Sequence, residues 1–164
     1  MNEKFWIGEA PDPATEVRSL LRYNDFLYEE ENGTFTLRFS DREMQWKTVI
    51  TTAEHCVLIY GIYPFPVAGG EPLLRFLSEV NRRAVSGAMI TREENGVTWL
   101  MFRTGSDLFD IYSAYETIGR DLEYNAAIIT AFWNEAAKYM DTVHASIPHP
   151  DMKAAVQLSD PMKL

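Results

Sequence analysis

The chain has 164 residues, 46% of them hydrophobic, enough for one domain that buries roughly 70% of its unfolded surface without a metal or disulfide staple. Its 15 basic and 24 acidic residues leave a formal charge of −9, which repels phosphate backbones and sets nucleic acid and anionic membranes aside as partners. No apolar run approaches the ~20 residues that span a bilayer, and MNEKFWIGEAPDP lacks the apolar centre of a signal peptide, so the expected compartment is cytoplasmic.

Phe5, Trp6 and Ile7 form an apolar knot with no periodic partner, an arm that docks on the domain or on a neighbour. Asp12 followed by Pro13 then supplies a cap acceptor and a preset φ, and Val17, Leu20, Leu21 and Asn24 continue at helical spacing. In FLYEEENGTFTLRFS, Asn32-Gly33 predicts a type I′ hairpin turn, with Phe35, Leu37 and Phe39 alternating along one strand face. WKTVITT and CVLIYGIYP read as two further strands, the second apolar on both faces and so central. PFPVAGGEP breaks the chain, and Pro72 opens a helix. Leu73, Leu77, Val80 and Ala84 share one stripe of it, opposite Arg75, Glu79 and Arg82. Gly87 is the expected stop, and AMITREENGVTWLMFR makes a second hairpin around Asn95-Gly96. The phrase EENG common to both hairpins is shared turn grammar rather than a repeat, and its glutamates are solvated turn charges.

SDLFDIYSAYETIG fits a short strand with its loop or the start of a helix. DLEYNAAIITAFWNEAAKYMDTVH is helical by length and alanine content, and Ile128, Ile129, Phe132, Trp133, Ala136, Tyr139, Met140 and Val143 spread over close to half its circumference. That is more apolar surface than one sheet contact needs, so Ile128, Phe132, Trp133 and Tyr139 are the candidate interface. The tail from Ser146, with Pro148, Pro150 and Pro161, reads as an extended arm.

Chemistry is scarce. His55 and Cys56 are adjacent, but neighbours on a strand point to opposite faces, so the pair forms no thiol–imidazole contact and Cys56 reads as an inert core thiol. The spacing of His144 and His149 is broken by Pro148, and neither a third histidine nor a cysteine lies nearby to complete a metal set. Ala68-Gly69-Gly70 lacks the Lys-Ser/Thr of a phosphate loop, and Glu71 places a negative charge where an anion would sit. Catalytic, cofactor and metal residues are therefore all expected to be none. Asn81 falls between Leu77 and Leu74 on the wheel and needs amide partners, most economically backbone groups of the adjoining hairpin. Arg83 can pair with Glu79. Asn81 and Arg83 are also the candidate polar anchors should a ligand bind.

The order of these elements, with Tyr63-Pro64 closing a buried strand, Phe76-Leu77 through Asn81-Arg82-Arg83 in the middle helix and the hairpin from Gly87 to Arg103, resembles YbjN-like domains, also labelled sensory transduction regulators, over 12–143. The resemblance implies an α+β domain over 12–145: an antiparallel sheet of about five strands packed by helices, like the type III secretion chaperones, often dimeric and without established catalytic residues. The arm 1–11 and the proline-containing tail 146–164 depart from that core, and 105–119 is longer than it implies. Two functions are weighed. One is a non-enzymatic interaction, chaperone-like or regulatory module, a homodimer or a binder of a protein or peptide. The alternative is a small-molecule-binding domain or enzyme whose pocket is lined by Trp99, Met101 and tyrosines, anchored by Asn81 or Arg83.

Overall fold

The computed structural model describes residues 12–108 and 114–146, so the FWI arm, most of the tail and His149 lie outside the described residues. Helix α1 (Pro13–Tyr23) starts where Asp12 accepts from the Thr15 amide at 3.3 Å and from its hydroxyl at 2.6 Å. Strands β1 (Tyr28–Glu31), β2 (Thr34–Asp41), β3 (Met44–Thr52) and β4 (Cys56–Val67) follow as a meander. Helix α2 (Glu71–Arg83) crosses to the hairpin β5 (Ala88–Glu94) and β6 (Val97–Asp107), and α3 (Ala114–Ala131) and α4 (Trp133–Ala137) close the domain. The six-stranded sheet is antiparallel throughout, in the order β1-β2-β3-β4-β6-β5, so the doubly apolar β4 is central.

Both Asn-Gly turns take the expected form, with φ of 50° and 77° at Asn32-Gly33 and 54° and 77° at Asn95-Gly96. Two boundaries move. Strand β4 runs on through Pro64 and Pro66 to Val67; both prolines lie past the last β3 partner, Ile62, with Pro64 inside the register shift against β6 and Pro66 opposite Trp99 where pairing resumes. The long last helix is interrupted at Phe132, and the chain then folds back so that Met140 bridges Val67 and the Asp141 amide donates to Pro66 O at 2.8 Å.

Alternation sorts the sheet into two faces. Phe35, Ile50, Ile59 and Phe102 point toward the helices: one core joins α1 and the first half of α3 to β2–β4, and a second joins α2, the end of α3 and α4 to β4–β6. The other face carries Val49, Tyr60, Ile62, Trp99 and Met101, a cluster made of strand residues alone among those described.

Candidate interaction surface

The four proposed interface residues are half-buried, and each packs on its own chain. The Trp133 ring lies 5.4 Å from Tyr63, 5.9 Å from Phe65 and 6.2 Å from Trp46 between centroids, and Tyr139 stacks on Phe76 at 5.1 Å. Phe132 meets Phe76 edge-on and carries the Arg83 guanidinium 5.4 Å over its face. The wide stripe therefore exceeds the sheet, but α2 and the aromatic end of β4 take up much of the excess. The helix wheel alone hides this, because the break at Phe132 redirects the last turns. Among the described residues, the large apolar side chains left most exposed are Tyr23, Leu27, Leu74 and Val85, outside the stripe, and Val143 at its end.

Asn81 is exposed overall, yet its amide is committed at both ends: Nδ2 donates to Met89 O at 3.1 Å, and Oδ1 accepts from the Met89 amide at 2.6 Å. This bracket fixes the end of α2 to the start of β5. Arg83 does not pair with Glu79. Arg82 does, at 2.7 Å, and that hydrogen bond holds the Glu79 carboxyl below its ordinary range. The pocket imagined between Trp99, Met101 and Asn81 is not formed. Asn81 binds the edge strand and α2 packs on Leu100 and Phe102, whereas Trp99 and Met101, at odd register, point through the opposite face. Nor is Glu30 a free turn charge, since Arg18 of α1 binds it at 2.6 Å.

The pin holding α3 to the sheet was not anticipated. Asn125 is buried, and its Nδ2 contacts Ile59 O at 3.1 Å, Phe102 O at 2.9 Å and Thr104 Oγ1 at 3.2 Å. It lies over Gly61, where an added Cβ would run into Asn125 Oδ1 and come within 2.7 Å of Ile129 Cγ1. One helical turn earlier, Ser106 Oγ donates to Asp121. Burial pushes the Asp121 carboxyl above its ordinary value, and the Ser106 bond only partly offsets that. A raised folded-state value means the folded chain holds this proton more tightly, so its stabilising effect is present at acid pH and is lost as pH rises through that value. Asp121→Asn is expected to raise the melting temperature at pH 7 and to leave it unchanged near pH 3. Paired thermal melts at the two pH values test this, and an equal shift at both would refute the linkage.

Between α1, α3 and β2 runs a groove of about 550 Å³. Leu20 and Leu122 are buried beneath it, and Phe26 and Phe39 meet edge-on at 5.6 Å along it. Tyr23 and Tyr115 pack edge-on at 5.9 Å, held by Asn24, whose Nδ2 donates to Leu20 O and to the Tyr115 hydroxyl. The charged residues along it, Glu116, Arg120 and Glu123, are exposed, and Arg120 reaches Glu116 at 3.9 Å. Among the described residues no group of histidine, cysteine and carboxylate side chains could hold a metal ion, and no helix is long and apolar enough to cross a membrane.

No protein-family model matches the chain, and no curated protein matches it. Among solved structures, the crystal structure of YbjN, a proposed transcription regulator from E. coli, aligns with a TM-score of 0.61 at 13% identity, covering 77% of this chain and 95% of that one. At that identity the likeness is one of fold: an antiparallel sheet with its helices in the same architecture.

Proposed function

We propose that the protein is a non-enzymatic interaction module that seats a segment of a partner polypeptide along the groove between α1 and α3. The observation that carries this reading is Tyr23, 81% exposed on the wall of a groove that Leu20, Leu122, Phe26 and Phe39 also line. Large apolar side chains clustered at a concave surface mark an interaction site more often than chance exposure does. The groove's charges are exposed, and the Nδ2 of its one amide already donates to Leu20 O and the Tyr115 hydroxyl, so apolar contact dominates what it offers. The regulatory role proposed for YbjN agrees with a binding rather than a catalytic part. A second copy of the chain is one such partner.

A photo-reactive phenylalanine at Tyr23, with the same residue at exposed Arg75 on α2 as control, tests the reading in cells producing the chain. Discrete adducts at Tyr23 and none at Arg75 are expected, and an adduct of twice the chain mass would identify a homodimer. Absence of adducts at Tyr23, together with a monomeric solution mass, would overturn it. The second reading, a small-molecule site, draws on the groove's volume, which falls in the range of ligand pockets. A metabolite that raises the melting temperature of the parent but not of Tyr115→Ala would favour it instead.

A further inference from the structure

Strand β5 is an edge of the sheet: β6 pairs with it on one side, and no described strand lies on the other. It is seven residues long, AMITREE, with no proline or glycine to interrupt a further ladder. An edge of that kind presents a row of backbone N–H and C=O groups to any strand that comes alongside.

The hairpin decides which groups face out. In a two-residue type I′ hairpin the residues flanking the turn form a hydrogen-bonded pair, and bonded and unbonded pairs alternate from there. Glu94 pairs with Val97 beside Asn95-Gly96, so Glu94, Arg92, Ile90 and Ala88 direct their backbone groups to β6, and Glu93, Thr91 and Met89 direct theirs outward. The Asn81 contacts agree independently. Its Nδ2 donates to Met89 O at 3.1 Å and its Oδ1 accepts from the Met89 amide at 2.6 Å, so both outward groups of that residue are taken by one side chain. Asn81 thus supplies Met89 with the donor and the acceptor that a residue of an adjoining strand would supply.

A second copy approaching antiparallel about a two-fold axis at Thr91 would offer three bonded rungs: Met89 with Glu93 of the second copy, Thr91 with Thr91, and Glu93 with Met89. Side chains do not forbid it. In that register Ile90 stands opposite Arg92 and Ala88 opposite Glu94, so no like charges are opposed. The obstacle is the amide. Met89 takes part in the first rung and the last, so Asn81 in each copy removes both and leaves the Thr91 rung alone.

We propose that Asn81 closes the β5 edge against a second copy of the chain, which makes α2 an inhibitor of self-association as well as a layer of the core. The helix itself is anchored by buried Leu73, Phe76 and Val80, so loss of the amide opens the edge without detaching α2.

Asn81→Ala in the full chain frees both Met89 groups. Its mass in sedimentation equilibrium should rise with concentration toward twice the parent's, with far-UV circular dichroism retained. Thr91→Pro supplies the second variant. The Thr91 amide faces away from β6, so proline there spares the hairpin ladder and removes the central rung. Added to Asn81→Ala, it should return the mass to the parent's value. Should Asn81→Ala not fold, Asn81→Asp takes its place, because a carboxylate still accepts from the Met89 amide but repels Met89 O. A folded variant with the parent's mass at every concentration would overturn the inference. Association that survives Thr91→Pro would place the new contact elsewhere and do the same. Failure of both Asn81 variants to fold would make the amide a bond of the fold alone, and the inference would fall with it.

Discussion

Gly61→Ala is expected to cost about 2–3 kcal/mol of folding stability, although it adds one methyl group to a strand. The strand's central position leaves no slack: β3 and β6 flank it, and α3 presses Asn125 and Ile129 onto the glycine. A Cβ there is 2.7 Å from Ile129 Cγ1, inside the distance at which either partner can stay put. The helix must lift, which weakens the Asn125 contacts to Ile59 O and Phe102 O. Asn125→Ala should cost a comparable amount, about 2 kcal/mol, by removing a buried donor and leaving a cavity. The informative measurement is the double variant. Because the new methyl group points at the space vacated by the amide, the two losses should be less than additive by about 1 kcal/mol in a denaturation-based cycle. Additive losses would show that Gly61 and Asn125 do not bear on each other.

Trp133→Ala is expected to destabilise the chain by about 2–3 kcal/mol, below the usual cost for a fully buried tryptophan because the indole is half-exposed. Its ring fills the angle between Trp46, Tyr63 and Phe65, which join the second half of β4 to the start of β3. The neighbouring Tyr63 phenol donates to Ile129 O at 2.8 Å, and its burial pushes its ionisation well above the ordinary range, so it stays neutral while it holds α3. Urea midpoints taken at two protein concentrations decide what the tryptophan does. A loss that is the same at both identifies an intramolecular wedge. A midpoint that depends on concentration in the parent but not in the variant would return Trp133 to a subunit interface.

These two expectations also mark what could be read before the fold was known. Turn chemistry and alternation are local, so Asn32-Gly33, Asn95-Gly96 and the strands they join could be placed from residue types alone. The centrality of β4 followed from its being apolar on both sides. Distances between elements are not local. Nothing in YGIY says that a helix sixty residues later rests on its glycine, although an isolated glycine in an apolar strand is itself a signal of close approach. Asn125 escaped notice because the wheel was drawn around the aromatic residues that follow it, whereas the buried stripe of α3 runs Ile118, Leu122, Asn125, Ile129. For the site, the reading found the aromatic residues but not their partners: Trp133 finds β4, and Arg83 finds a ring instead of a carboxylate. The groove beside Tyr23 was invisible because its walls come from three separate stretches.

The outermost strand β1 is only four residues long, and three of them are glutamates. Two copies paired antiparallel over all four residues would set Glu29 opposite Glu30 on both central rungs, and the backbone bonds available over so short a ladder are too few to compensate. Growth by strand addition is thereby blocked on one side of the sheet, which directs any assembly toward surfaces where side chains, not main-chain groups, make the fit.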